Sequence, residues 1–121
     1  MWITYLVFFL FLSLFYIGTG ALMYKYPPKQ VNNVLGYRTN MSMKNEETWK
    51  FANVYWAKTF FINGLILLAP SIIIPIVCKD SAHLNAIGTS FSFILLFAII
   101  PTIVLTEKAL KKKFDKDGNL K

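Results

Sequence analysis

The chain has one cysteine, Cys78, and one histidine, His83. A single cysteine excludes an internal disulfide. A lone histidine, with no Cys, Asp or Glu cluster at ligand spacing around it, offers no metal site. There is no glycine-rich phosphate loop. Ser71, Ser90 and Ser92 lie in apolar runs with no histidine beside them to activate a nucleophile. Neither enzymatic activity nor a cofactor is expected. Charge is scarce too: 16% of residues are charged, against about 25% in average soluble chains.

Charge is absent altogether from three long stretches. Residues 2–24, 59–78 and 84–106 contain no Asp, Glu, Lys or Arg, and they run for 23, 20 and 23 residues. A helix needs about 20 apolar residues to cross a hydrocarbon core of roughly 30 Å. All three qualify. A chain this short satisfies its backbone polar groups in lipid as helices, not as a closed barrel. The expected fold is all-α, with three transmembrane helices. The first run lacks a basic flank ahead of it and an A-x-A-like site behind it, and it exceeds the ~7–15 residues of a signal-peptide core. It is expected to stay as a span.

Basic residues are missing ahead of the first run, and the short second connector holds only Lys79. Lys25, Lys29, Arg38, Lys44, Lys50 and Lys58 crowd the first connector. Lys108, Lys111, Lys112, Lys113, Lys116 and Lys121 follow the third run. By the positive-inside bias, the first connector and the C-terminus are cytoplasmic, while the N-terminus and the 79–83 turn face outside. The net charge of +7 is therefore a topology signal. It adds attraction to anionic headgroups and gives no reason to expect direct nucleic-acid binding.

Within the first connector, Pro27-Pro28 ends the first helix. Asn32, Asn33 and Gly36 are turn formers. Ser42 is a favoured N-cap, and Glu46 and Glu47 suit the positive end of a helix dipole. One long helix over residues 43–78 is expected, roughly 54 Å at ~1.5 Å per residue, with its first third in the cytoplasm. Pro70, Pro75 and Pro101 should kink their spans. The basic tail, residues 107–121, should extend the third span briefly and fray at Asp117-Gly118. The whole chain, 1–121, reads as a single three-span domain with a cytoplasmic motif at 36–58.

That motif, GYRTNMSMKNEETWKFANVYWAK, is polar, aromatic and charged between apolar spans. On a helix, Trp49, Asn53, Trp56, Phe60 and Asn63 form one continuous face. Lys58 can snorkel at the membrane boundary. Arg38 precedes the helix closely enough to fold back towards Glu46, Glu47 or Asn53. A plain interfacial anchor explains Trp, Tyr and Lys at a boundary. It does not require Gly36, Arg38, Thr39, Ser42 and Asn45 ahead of the aromatic face. The ordered string favours a specific folded feature.

The same string resembles the signature of the SdpI-like family of small bacterial membrane proteins. That signature has a G-[YI]-R-T element, a Ser/Thr, an acidic stretch and E-x-W, and then a helix entering a span. Gly36, Tyr37, Arg38, Thr39, Ser42, Asn45, Glu47, Trp49, Asn53 and Lys58 stand at matching positions, and Asn63-Gly64 fits the span that follows. Many members carry a histidine where this chain has Asn53, so a proton-linked role does not carry over to that position. The specific similarity covers about residues 32–68.

The resemblance implies an integral-membrane immunity protein that resists a secreted, membrane-active peptide toxin and also signals by holding a transcriptional repressor at the membrane. Three readings stay open: toxin resistance, with the peptide met on the outer side; an adaptor that binds a cytosolic regulator through residues 36–58 and the tail; and a structural membrane protein without a ligand. The bilayer is the one partner common to all three. A homodimer is compatible with so small a bundle.

Overall fold

The computed structural model describes residues 1–32 and 34–121; Asn33, one of the expected turn formers, lies outside them. Four helices follow in order: α1 Trp2–Lys25, α2 Glu46–Val77, α3 Leu84–Phe97 and α4 Ile99–Lys113. The last two continue one another, so three helical segments are long and apolar enough to cross a membrane. The protein is an all-α, multi-pass membrane protein.

Helix α1 ends where the two prolines require it. The Tyr26 N–H closes the last turn on the Leu22 carbonyl at 2.8 Å, immediately before Pro27. Its packing on α2 is the main contact of the fold, and small residues make it close. A Cβ added to Gly20 would lie 2.5 Å from the Phe61 backbone nitrogen, and one on Gly64 would lie 2.8 Å from the Ile17 nitrogen. Such backbone approach is how helices associate in lipid, where no hydrophobic effect drives them together. Between these contacts and the far end, the Ser13 and Ser71 hydroxyls meet at 2.7 Å. Ser71 gives its proton to the Leu67 carbonyl, so Ser13 is the donor to Ser71.

Helix α2 is unbroken through Pro70 and Pro75. The third span does break. Pro101 has no N–H for the Phe97 carbonyl, and its ring crowds that turn, so α3 stops at Phe97 and α4 begins at Ile99. Two carbonyls beside the break take side-chain donors from the other spans. Tyr16 Oη donates to Leu95 at 2.7 Å, and Asn63 Nδ2 donates to Ala98 at 3.1 Å. Irregular backbone at membrane depth survives only when protein groups satisfy it.

Two apolar clusters stabilise the bundle. One joins Phe9, Phe91 and Leu95 at the α1–α3 contact. The other joins Tyr37, Ala52, Leu110 and Phe114, where the first connector meets α2 and α4. A run of rings links the two ends: Tyr37 to Trp56 at 5.7 Å, Trp56 to Phe60 at 4.6 Å and Phe60 to Tyr16 at 4.6 Å between centroids.

Two expectations are corrected. The N-cap of α2 is Asn45, three residues beyond Ser42. The tail does not fray at Asp117-Gly118. It folds back, with Phe114 and Leu120 in an isolated antiparallel bridge and the Lys121 N–H bonded to the Lys113 carbonyl at 3.1 Å. Gly118, at φ 87°, makes the reversal.

Candidate functional site

The motif is built on the first turns of α2. Asn45 Oδ1 accepts from the Thr48 N–H at 2.9 Å, and Thr48 Oγ1 accepts from the Asn45 N–H at 3.1 Å. This reciprocal box satisfies two donors that would otherwise be orphaned at the helix start. The free end of the same Asn45 amide donates to the Gly118 carbonyl at 2.7 Å. One side chain thus starts the helix and docks the tail.

Ser42 belongs to the turn before the helix. Its hydroxyl accepts from the Thr39 N–H at 2.8 Å and lies 3.0 Å from the Tyr37 carbonyl, to which it can donate. Thr39 returns the contact, accepting from the Ser42 N–H at 3.2 Å. Ser42 and Thr39 therefore pin residues 37–42 as a compact turn. A serine in such a turn and a serine at a helix start use the same hydroxyl chemistry, which is why sequence alone placed the cap three residues early.

Asn53 is fully buried and clasps the connector. Its Oδ1 accepts from the Tyr37 N–H at 2.7 Å, and its Nδ2 donates to the Trp49 carbonyl at 2.9 Å. Trp49, also fully buried, donates from Nε1 to the Pro28 carbonyl at 2.8 Å. Gly36 fits into this corner for two reasons. Its φ is 109°, and a Cβ there would lie 2.6 Å from Asn53 Oδ1. Only glycine adopts such a conformation without steric cost.

The Tyr37 ring enters the cluster with Ala52, Leu110 and Phe114. Burial pushes its phenol pKa well up, and the nearby Glu107 carboxylate pushes it the same way. Glu107 Oε2 is buried and has no hydrogen-bond partner among the described residues. Tyr37 and Glu107 tie the connector to α4. Sequence reading gave Tyr37 no role and passed over Glu107, which stands one residue beyond the uncharged run. The signal available was its isolation as the one acidic residue at that boundary.

The expected aromatic–asparagine face is an inward seam whose members serve separate partners. Trp49 binds the connector, Asn53 binds Tyr37, Trp56 Nε1 lies 3.3 Å from Thr102 Oγ1, and Asn63 serves the third-span break. Their polar atoms satisfy the fold and do not converge on a ligand. Of the residues that match the family signature, Arg38, Glu47 and Lys58 are exposed, and Asn40, Lys44, Glu46 and Lys50 are exposed beside them. Lys58 lies over the Tyr24 ring at 5.6 Å. Glu47 and Lys58 line an open groove of about 580 Å³ with Lys50, Phe51, Tyr55 and Lys113. Among the described residues, no group of His, Cys, Asp and Glu could hold a metal ion.

Comparison with known proteins places this clasp inside a shared segment. The family model of the SdpI/YfhL protein family matches residues 29–106, which include the connector turn, all of α2 and the third span up to Thr106. The chain is 33% identical over 95 residues to the uncharacterized protein YfhL of Bacillus subtilis (strain 168), covering 78% of each chain. No solved structure matches. With the G-Y-R-T turn, the buried Trp49–Asn53 clasp and the second span within the matched region, and the third span within it up to Thr106, the chain belongs to the SdpI/YfhL family.

Proposed function

We propose that the protein is a non-catalytic immunity factor. It raises the resistance of its own membrane to a secreted, membrane-active peptide. The observation that carries this reading is the coincidence of the family segment with the hydrogen-bonded clasp at residues 36–53. A segment so fully bonded internally is preorganised to present a fixed surface, with Arg38, Glu47 and Lys58 on it. In this reading the N-terminus and the 79–83 turn face outside, where the peptide arrives, and the clasp and tail face the cytoplasm, as the distribution of lysines favours.

The test is expression in a sensitive bacterium, with membrane depolarisation followed against peptide dose. The dose needed should rise. Arg38→Ala and Trp49→Ala should abolish more of the protection than Lys111→Ala, which removes one charge from a redundant run. No rise against any peptide encoded beside the gene would sink the reading. Orientation is checked separately: in a Cys78→Ser background, a cysteine at position 121 should resist an impermeant thiol reagent until the cells are opened.

A second reading, an adaptor for a cytosolic regulator, is favoured by the groove that Glu47, Lys50, Lys58 and Lys113 line beside the clasp. Crosslinking from position 50 in cells should then capture one soluble protein. An empty capture counts against this reading and leaves the immunity reading intact.

A further inference from the structure

On its other side, the Phe51–Tyr55 pair walls a second groove, between α2 and α4. The two rings stack at 5.8 Å. Leu105 and Ala109 form the floor on α4, and Lys108, Lys112 and Lys113 form the rim. The volume is about 540 Å³, and no lining residue is acidic. From this geometry we infer a binding site for one anionic phospholipid, with its phosphate between Lys108 and Lys112, its glycerol beside Tyr55 and an acyl chain entering the hydrocarbon past Leu105.

Depth supports the assignment. The uncharged run of the third span ends at Thr106. At ~1.5 Å per residue, Lys108 and Lys112 stand roughly 3 and 9 Å beyond that point. Tyr55 stands roughly 6 Å before the uncharged run of α2 begins at Thr59. The headgroup layer on each side of a bilayer is about 5–8 Å thick. The groove therefore opens to the hydrocarbon at Leu105 and continues through the headgroup layer, where Lys108, Ala109 and Tyr55 stand, to Lys112 at its outer edge. Leu105 is 48% exposed and needs an apolar cover.

Charge supports it as well. Lys108 and Lys112 are one turn apart on the same helix face, a like-charge spacing that weakens a helix. An anion between them reverses that penalty. Lys113 is held apart from the pair, its Nζ 4.6 Å above the Phe51 ring. The positive rim is thus fixed by packing on one side and open to a phosphate on the other. General attraction of a polybasic tail to a membrane does not require lysines around an apolar slot; a seated lipid does.

The test uses the purified full chain in detergent with equal amounts of phosphatidylglycerol and phosphatidylcholine, and native mass spectrometry to count retained lipids. The wild type should keep one phosphatidylglycerol in about tenfold excess over phosphatidylcholine, and K108Q/K112Q/K113Q should bring the two within about twofold. K44Q/K116Q/K121Q removes the same charge outside the groove and should keep the preference. Equal loss in both triple variants would mean diffuse attraction and overturn the site, as would a preference kept by the groove variant. Displacement by millimolar inorganic phosphate would make free phosphate the ligand and overturn the lipid. A photoreactive phosphatidylglycerol should label the segments holding Tyr55 or Leu105, and labelling confined to other segments would also overturn the assignment.

Discussion

Asn53 and Tyr37 are paired across sixteen residues of chain, the Asn53 carboxamide oxygen holding the Tyr37 N–H at 2.7 Å in a fully buried site. The connector is fixed to α2 by this contact together with the Tyr37 ring, which packs against Ala52. Asn53→Ala leaves a buried N–H without a partner, at a cost of about 1–3 kcal/mol. The midpoint of thermal unfolding in detergent should fall, and proteases should cut the connector faster. If both stayed at wild-type values, Asn53 would not be what holds the clasp shut.

Gly36→Ala meets the same corner from the other side. The residue sits at φ 109°, and its new methyl would meet Asn53 Oδ1 at 2.6 Å. Backbone strain of that kind costs on the order of 1–3 kcal/mol, and the contact adds to it. In an Asn53→Ala background the contact disappears while the strain stays. The double variant should therefore be more stable than the sum of the single losses implies. Strict additivity in thermal unfolding would show that the methyl does not press on Asn53.

Tyr37 gives the clasp an alkaline limit. Its phenol pKa is raised from 10.0, first by burial and then by the Glu107 carboxylate. The folded state thus holds the phenol proton more tightly than the unfolded state does. The resulting stability is fully present below pH 10.0 and is lost as pH rises towards the folded value. Stability measured across this window should decline, and Tyr37→Phe should flatten the decline. Glu107→Gln removes the adjacent negative charge and should bring the tyrosinate absorbance change in at lower pH. An unchanged titration in that variant would mean that Glu107 does not act on Tyr37.

The spans were legible because each is an uncharged run of about the length a bilayer requires; the bend expected at Pro101 is a break between α3 and α4, while α2 runs unbroken through Pro70 and Pro75. The connector was legible only in part. Periodicity put Trp49, Asn53, Trp56, Phe60 and Asn63 on one face, but it cannot say which way that face points or what each residue meets. The Tyr37–Asn53 pairing depends on a turn at Gly36 that folds sixteen residues back, and no local pattern encodes its partner. The helix start was ambiguous because Ser42 and Asn45 are both good caps; the tie is broken by Thr48, three residues after Asn45, which completes the box. The tail misled because its lysines dominate its composition. Phe114 and Leu120, six residues apart around Asp-Gly-Asn, were the sign that it packs.

That double use of Asn45 can be separated by two substitutions. Asn45→Asp keeps an oxygen for the Thr48 N–H and places a negative charge at the positive end of the helix dipole. It removes only the donor that reaches the Gly118 carbonyl. Asn45→Ala removes both contacts and costs about 1 kcal/mol for the cap alone. Hydrogen exchange distinguishes the outcomes. In Asn45→Asp the first turn of α2 should keep its protection, while the amides of Asp115, Gly118 and Lys121, which bond within the folded-back tail, should exchange faster. In Asn45→Ala both regions should loosen. Tail amides that stay protected in both variants would show that the Phe114–Leu120 bridge, and not Asn45, keeps the tail in place. In that case the tail would be a unit separate from the clasp, and a ligand binding to one would leave the other unchanged.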